Sequence, residues 1–249
     1  MDNQQIIAQN HIAWDAIADD WFGRTALPTW GISAPTEYSL HLLGDLHGKR
    51  ILDLGCGSGH SLSWCAAQGA ADLWGLDLSA HQLKNAAGLL SGLPYTLKNQ
   101  PMEDSSGIPV NYFDAVYSVY AIGWTTDLYT TFHHVSTYLK PGGIFVFSWD
   151  HPLMHCTSSE GNCVKFDGSY LDEGPFSSEK GGWPVTMQNR KLSTYINTLS
   201  AAGLFVETVV EETEYSDLDT PEILSRVYYT PVKARHFPLS VIIKARKPK

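Results

Sequence analysis

The chain has 249 residues, of which 43% are hydrophobic and 17% charged, and its formal net charge is -9. This length favours one domain, and no stretch approaches the roughly 18 apolar residues that a membrane-spanning helix needs. The acidity argues against a nucleic-acid partner, because phosphate binding requires a clustered basic face, and the polar, acidic N-terminus favours a cytoplasmic protein over a secreted one. The oligomeric state stays open.

The cysteine pattern predicts free thiols in a reducing compartment, because no CxxC pair or zinc spacing occurs among the four residues Cys56, Cys65, Cys156 and Cys163. We therefore expect no metal. Cys56 lies inside a glycine-rich turn, where it is either a nucleophile or a small residue that fills a crowded turn. The second interpretation is favoured, since a nucleophile needs a paired base.

The first predicted elements are a helix and a buried strand. Apolar residues recur at helical spacing from Ile6 to Trp21 and predict one helix with an apolar face. The apolar stretch 51–54 then ends in three glycines, Gly55, Gly57 and Gly59. Glycine adopts positive φ without steric cost and lets another molecule approach the backbone. This pattern predicts a strand that runs into a ligand-binding turn.

The rest of the first half alternates between helix and strand. The predicted elements are a helix closing at Gly69, a strand ending in Asp77, a helix capped by Ser79, strands at 94–100 and 112–121, a helix from Leu128 to the Pro-Gly-Gly at 141–143, and a strand at 144–149. Alternation of this kind predicts a parallel sheet covered by helices on both faces.

The second half breaks this rhythm. Residues 151–191 are rich in glycine, serine, proline and aromatic residues, which predicts an insertion over the active face, followed by a helix over 192–202 and two strands joined by a polar segment at about 212–237. Four aromatic residues of the insertion are candidates for a lid, although aromatic residues that anchor an insertion to the core would give the same sequence: Phe166, Tyr170, Phe176 and Trp183. The predicted single domain thus divides into an N-terminal helical cap (1–40), a cofactor-binding core (41–150), a substrate-side insertion (151–191) and a C-terminal helix with strands (192–249).

The glycine turn and Asp77 predict a ligand that carries a ribose. Both features fall at the carboxyl ends of neighbouring strands, where a carboxylate can accept both ribose hydroxyls. A nicotinamide dinucleotide would require G-x-G-x-x-G, whereas the third glycine comes one residue early here. Asp53 would also repel a pyrophosphate, although it would attract an ammonium or sulfonium group. A nicotinamide-dependent oxidoreductase is therefore disfavoured.

Five motifs in register resemble the class I S-adenosylmethionine-dependent methyltransferases, and as a whole the sequence is similar to the small-molecule, ubiquinone-biosynthesis-type branch. The motifs are DLGCGSG at 53–59, GLDLS with Asp77, PMED at 101–104, FDAVYS at 113–118 and LKPGGIFVFS at 139–148. The resemblance implies an α/β fold with a Rossmann-like, seven-stranded, mostly parallel sheet, helices on both faces, an antiparallel last strand and an inserted cap. It also implies S-adenosylmethionine as cofactor.

The resemblance further implies roles for individual residues at the cofactor. Asp53 would order the loop and the methionine ammonium, the loop from Gly55 through Cys56 to Gly57 would contact the methionine moiety, and Asp77 would hold the ribose. Adenine would lie between Leu78 and Met102, with its edge read by Glu103 or the amide beside it. Val119 and Tyr120 would line the sulfonium region, and Trp21 would approach the methionine carboxylate. Pro101 replaces the family's usual aspartate, which leaves Glu103 and Asp104 as alternative adenine-reading carboxylates.

The methyl acceptor is predicted to be a small molecule. Residues 118–124, SVYAIGW, match neither the Asn/Asp-Pro-Pro-Tyr motif of nucleic-acid amino methyltransferases nor a Pro-Cys cytosine nucleophile. His151 follows the fifth strand and is a candidate general base, although a loop histidine bonded to backbone would give the same sequence. Tyr120 is the second candidate catalytic residue. The alternative function is a protein that binds S-adenosylmethionine or S-adenosylhomocysteine without catalysis.

Overall fold

The computed structural model describes residues 1–214 and 228–249. The helices are α1 (Asn3–Ala16), α2 (Glu37–Leu40), α3 (His60–Ala67), α4 (Ala80–Leu89), α5 (Leu128–Tyr138), α6 (Leu192–Ala201) and α7 (Pro231–Ala234). The strands are β1 (Arg50–Leu54), β2 (Asp72–Asp77), β3 (Tyr95–Asn99), β4 (Phe113–Val119), β5 (Leu139–Asp150), β6 (Thr157–Glu160), β7 (Cys163–Phe166), β8 (Gly174–Lys180), β9 (Trp183–Asn189), β10 (Phe205–Val210) and β11 (Ser240–Arg246). Within the described ranges, no helix is long and apolar enough to cross a membrane.

Seven strands form one sheet in the order β10, β11, β5, β4, β1, β2, β3. All neighbouring pairs from β5 to β3 are parallel, whereas β11 runs antiparallel to both β5 and β10. The sequence-based expectation of a seven-stranded, mostly parallel sheet with an antiparallel last strand is confirmed. The carboxyl ends of β1, β2, β3 and β4 therefore lie at one edge, where a ligand can contact all four.

Helices cover both faces of this sheet, as the alternation of buried residues in each strand shows. Leu52, Phe145 and Phe147 face a cluster that includes α5 and α6 side chains such as Phe132 and Tyr195. The intervening strand residues, among them Ile51, Ile144 and Val146, face a second cluster with Leu62 of α3 and Leu83 of α4. Strands buried on both faces account for their nearly continuous apolar sequences.

The N-terminal helix is shorter than its sequence pattern predicts. α1 ends at Ala16, and the chain continues as turns to Gly23 rather than as helix to Trp21. Gly23 has φ +73°, and its N–H donates to Ser58 Oγ at 3.1 Å in the glycine-rich turn. The bend therefore turns Trp21 towards the edge where β1 ends.

The insertion contains regular structure that its composition did not reveal. β6 pairs with β7, and β8 pairs with β9, in two antiparallel hairpins. Asn10 of α1 anchors the second hairpin, because its side chain donates to Thr186 O (2.8 Å) and accepts from Thr186 N–H (2.9 Å). α1 and the β8–β9 hairpin thus form one unit. Part of the polar segment predicted at 212–237 lies outside the described residues.

Candidate active site

A cavity lies at the carboxyl ends of β1 to β4, between the sheet edge and the N-terminal segment. Every residue that the sequence assigned to the cofactor lines it, in chain order Trp21, Asp53, Gly55, Cys56, Gly57, Asp77, Leu78, Met102, Glu103, Val119 and Tyr120. These residues come from five separated segments, and the topology of the sheet brings them together because parallel strands place their carboxyl ends side by side.

The glycine turn after β1 is shaped for close approach to a ligand. Gly55 has φ +76°, and a Cβ at this position would lie 2.4 Å from Ala121 Cβ. Gly57 N–H donates to Asp77 Oδ2 at 2.9 Å, while Ser79 N–H donates to Asp77 Oδ1 at 2.8 Å. These two bonds fix the Asp77 carboxylate beside the turn. Each of its oxygens retains a lone pair for a ligand hydroxyl.

Two buried oxygen atoms on the cavity wall have no hydrogen-bond partner within the described ranges. They are Asp53 Oδ1 and Gln82 Oε1. Burial raises the pKa of the Asp53 carboxyl well above its usual value; the Tyr117 hydroxyl opposes this shift and the Asp77 charge adds to it. A ligand that donates hydrogen bonds and carries positive charge would satisfy both oxygens. The wall therefore fits a nucleoside that carries an ammonium group, such as S-adenosylmethionine.

Glu103 lines the cavity and also bonds to the protein through one carboxylate oxygen. Its Oε1 accepts hydrogen bonds from Thr126 N–H at 2.6 Å and from the Thr125 hydroxyl at 2.8 Å, just before α5. Asp104 does not line the cavity, and its Oδ1 accepts from Ser106 N–H. Of the alternatives that the sequence left open, Asp104 lies outside the cavity, whereas Glu103 and the backbone amide beside it stay candidates for the adenine edge.

Cys56 is a buried thiol that bonds only weakly, with Sγ 3.8 Å from Gly57 O. Burial raises its pKa well above the usual value, and the nearby Asp77 and Asp53 charges raise it further. A thiol held in its protonated form is a poor nucleophile. The structure thus agrees with a packing role for Cys56 within the turn.

Tyr120 is held by a closed ring of hydrogen bonds. Ile32 N–H donates to Tyr120 Oη (3.4 Å), and Ser240 Oγ donates to Ile32 O (2.8 Å). Because the single Ser240 proton is used in that bond, the contact between Tyr120 Oη and Ser240 Oγ takes its proton from Tyr120. Burial raises the Tyr120 pKa well above its usual value. The hydroxyl therefore bonds to protein groups at Ile32 and Ser240, and the residue lines the cavity.

His151 does not line the cavity, although it follows β5 as the sequence predicted. Its Nδ1 accepts from Leu153 N–H at 3.2 Å, which leaves the proton on Nε2 to bond Glu211 Oε1 at 2.8 Å. Both ring nitrogens thus have protein partners, and burial lowers the pKa of the imidazole. This arrangement matches a loop histidine bonded to backbone and does not support a general base at the acceptor.

Further cavity residues carry no role in the sequence-based prediction, among them Asn10, Trp14, Arg24, His60 and Gln82. Two local signals could have found some of them. His60 directly follows Gly59, and Gln82 lies in the first turn of α4, three residues after its cap Ser79. First-turn side chains of helices that follow parallel strands face the ligand edge. For Asn10 and Trp14 the sequence holds no comparable signal.

The lid candidates of the insertion occupy different environments. Phe166 and Trp183 are exposed, whereas Phe176 packs against the main core and Tyr170 Oη accepts from Leu192 N–H at 3.2 Å. The aromatic rings that do enclose the cavity lie elsewhere: Trp14 is in edge contact with Trp21 and Trp124, at centroid distances of 5.5 and 5.2 Å.

Asp150, the last residue of β5, is a buried carboxyl that the Tyr229 and Tyr228 hydroxyls contact at 2.8 and 3.2 Å. Burial raises its pKa to about 6 despite these bonds. Since the folded pKa exceeds the unfolded one, this group stabilises the fold fully below about pH 4 and loses that contribution as the pH rises through about 6. Because asparagine does not ionise, we expect Asp150→Asn to remove this contribution to the pH dependence of the free energy of unfolding.

In urea unfolding measured from pH 4 to 7, the free energy of unfolding of the unsubstituted protein should fall relative to that of Asp150→Asn by roughly 2 to 3 kcal/mol. A difference between the two proteins that stays constant over this range would contradict the raised pKa.

Comparisons with known proteins agree with this geometry. Residues 52–147 match a family model described as a methyltransferase domain. An uncharacterised Haemophilus influenzae protein is 30% identical over 195 residues, which cover 72% of this chain and 76% of that protein. A ubiquinone biosynthesis O-methyltransferase of Bordetella avium is 34% identical over 114 residues, 45% of this chain and 47% of that enzyme.

A solved structure extends the similarity to nearly the whole fold. The S-adenosylmethionine-dependent methyltransferase of Mesorhizobium loti superposes with a TM-score of 0.73 at 28% identity, over 87% of this chain and all of that one. Residues 52–147, which match the family model, contain the glycine turn, Asp77 and the carboxyl ends of β1 to β4. The chain belongs to the class I S-adenosylmethionine-dependent methyltransferases.

Proposed function

We propose that this enzyme transfers the methyl group of S-adenosylmethionine to a small-molecule acceptor by in-line displacement. The observation that carries the proposal is the enclosure of the cavity: α1, the turn that holds Trp21 and the indole of Trp124 stand over the same strand ends as the glycine turn. We expect the acceptor to bind among the aromatic residues that line this cavity, which suits a small molecule better than a polymer. The net charge of -9 also disfavours nucleic acid.

We assign each part of the cofactor to particular residues of the cavity. We assign the ribose to Asp77 and the methionine ammonium to Asp53, whose unpartnered Oδ1 can accept a hydrogen bond. Gln82 Oε1 is a further acceptor on the same wall. Arg24 lines the cavity and is the cation we assign to the methionine carboxylate, near the position predicted for Trp21. The methionine moiety would lie against Gly55, Cys56 and Gly57, and adenine between Leu78 and Met102.

S-adenosylmethionine supplies a methyl group bound to a positively charged sulfur, so the reaction needs alignment and exclusion of water more than covalent catalysis. We propose that Tyr120, Val119 and Trp124 line the reacting region and keep it dry. Neither predicted catalytic residue offers a free base, because the Tyr120 phenol donates to Ser240 and His151 lies outside the cavity. We therefore favour an acceptor that is nucleophilic without deprotonation by these residues.

The experiment that tests the proposal has two stages. Calorimetric titration with S-adenosylmethionine, S-adenosylhomocysteine and NADH should show binding of the first two only. The protein is then incubated with methyl-labelled S-adenosylmethionine and a panel of phenols, carboxylic acids, thiols and amines, and labelled product is separated by chromatography. Transfer to at least one small acceptor supports the function. Tight cofactor binding without transfer to any class would favour the alternative of a non-catalytic binding protein.

We also propose that the chain divides into four parts: a cap (1–40), a core (41–150), an insertion (151–191) and a C-terminal part (192–249). The Asn10 and Thr186 bonds between α1 and β9 support a joint role for the cap and the insertion in covering the acceptor. If the insertion opens as a lid, protease cleavage within about 155–185 should be suppressed by saturating cofactor. Cleavage that is indifferent to the cofactor would argue for a fixed cover.

A further inference from the structure

The turn of the β8–β9 hairpin places a lysine against two tryptophans of the cavity wall, and the lysine itself is not among the residues that line the cavity. Lys180 ends β8, and Gly181 and Gly182 form the turn with φ +55° and +83°. A Cβ on Gly181 would lie 2.8 Å from Ile17 Cγ2, so the turn packs directly against the chain that follows α1. Together with the bonds between Asn10 and Thr186, this contact fixes where the lysine stands.

The Lys180 ammonium lies against two indoles of the cavity wall. Its Nζ is 4.8 Å from the ring centroid of Trp21 and 5.9 Å from that of Trp124. Both rings line the cavity, and Trp14 contacts both of them edge-on. The aromatic faces attract a cation, but they cannot replace the full charge of a carboxylate.

Lys180 has no carboxylate at ion-pair distance in the part of the chain that the structure describes. Four other lysines do have one, namely Lys140, Lys165, Lys191 and Lys244. Burial lowers the pKa of Lys180, and the charge of Asp150 opposes this shift. A half-buried cation without a close counter-ion is costly, and an anion brought by a ligand would remove that cost.

We propose that Lys180 pairs with a negatively charged group, such as a carboxylate, on the methyl acceptor. This inference rests on the proposed function. Cationic acceptors are disfavoured by repulsion from the lysine. The methionine carboxylate of the cofactor is a second anion with which a lysine would pair, so the experiment has to distinguish it from an anionic group of the acceptor.

The test compares three aromatic probes of similar shape and different charge: benzoate, benzamide and benzylamine. Their binding to the protein saturated with S-adenosylhomocysteine is measured by ligand-observed NMR and by quenching of tryptophan fluorescence. We expect benzoate to bind about tenfold or more tightly than benzamide, and benzylamine most weakly. In Lys180→Met, which keeps the side-chain length, the advantage of benzoate over benzamide should disappear.

A matched control is Lys165→Met in the β6–β7 hairpin of the same insertion, where the lysine pairs with Glu160 at the surface. It should leave both the probe preference and the cofactor affinity unchanged. The affinity for S-adenosylhomocysteine should also be unchanged in Lys180→Met; a tenfold loss there would assign the lysine to the cofactor carboxylate and overturn the proposal.

Equal binding of benzoate and benzamide to the unsubstituted protein, no binding of benzoate, or tightest binding of benzylamine would each overturn the inference. These outcomes would leave the methyltransferase function intact as long as S-adenosylhomocysteine binds. Failure of S-adenosylhomocysteine to bind the unsubstituted protein would instead count against the proposed function itself.

Discussion

Replacing Asp77 with alanine should weaken S-adenosylmethionine binding by about 1.5 to 3 kcal/mol, or roughly 10- to 150-fold in Kd. The carboxylate is proposed to accept the ribose hydroxyls, and charge-assisted hydrogen bonds of this kind are stronger than neutral ones. The substitution also removes the acceptor for Gly57 N–H and Ser79 N–H, so the glycine turn loses two bonds that hold it in place. Asp77→Asn, which keeps the shape and one acceptor, should fall between alanine and the unsubstituted protein.

Asp72 provides the matched control, because it lies at the other end of the same strand and does not line the cavity. Its carboxylate accepts from Tyr112 Oη at 2.7 Å and from Trp74 Nε1 at 3.2 Å. Asp72→Asn should leave the calorimetric Kd for S-adenosylmethionine unchanged. If Asp77→Ala bound the cofactor with undiminished affinity while remaining folded, the ribose assignment would be wrong.

The cofactor side of the cavity was predictable from sequence because it depends on local patterns and one topological rule. A buried strand that ends in glycines identifies the turn after β1, and an apolar strand that ends in an acid identifies Asp77. Alternating strands and helices predict a parallel sheet, and the carboxyl ends of parallel strands lie at one edge of the sheet. This inference needs no information about side-chain packing. Leu78, Met102 and Val119 then line the cavity because they lie at or shortly after strand ends.

The side that we propose for the acceptor was less predictable because it depends on contacts between distant segments. Asn10 reaches Thr186 across 176 positions, and Ile32 meets Ser240 across 208. Hydrogen bonds between single residues so far apart leave no periodicity in the sequence. The β8–β9 hairpin, which carries Lys180 to the Trp21 and Trp124 rings, was therefore expected only as an irregular insertion.

His151 and Glu37 show that position along the chain does not fix orientation. The sequence placed His151 correctly after β5, but the side chain turns to Leu153 and Glu211 instead of the cavity. Glu37 looks like an ordinary surface acid, yet it is buried and accepts from Trp30 Nε1 and the amides of Leu42 and Leu43. In both cases the decisive partners belong to loops, whose conformations depend on tertiary packing.

Gly55→Ala should both destabilise the fold and abolish cofactor binding. The residue has φ +76°, and the new Cβ would lie 2.4 Å from Ala121 Cβ and 3.0 Å from Met102 Cε. Ala121 follows β4 and cannot move without displacing Tyr120, so the overlap adds to the cost of a positive φ. We expect a loss of about 3 kcal/mol or more in the free energy of unfolding measured with urea.

Two matched glycines separate the contributions to this effect. Gly48 has nearly the same φ, +71°, and an added Cβ would have no atom within 4 Å, so Gly48→Ala should cost only about 1 kcal/mol and leave cofactor affinity unchanged. Gly57 has φ +50°, and its Cβ would meet only Gln82 Oε1, at 3.9 Å on the cavity wall. Gly57→Ala should therefore fold yet bind S-adenosylmethionine weakly. Equal free energies of unfolding for Gly55→Ala and Gly48→Ala would show that Ala121 moves to accommodate the added methyl group. Close packing between the ends of β1 and β4 would then not determine the shape of the turn.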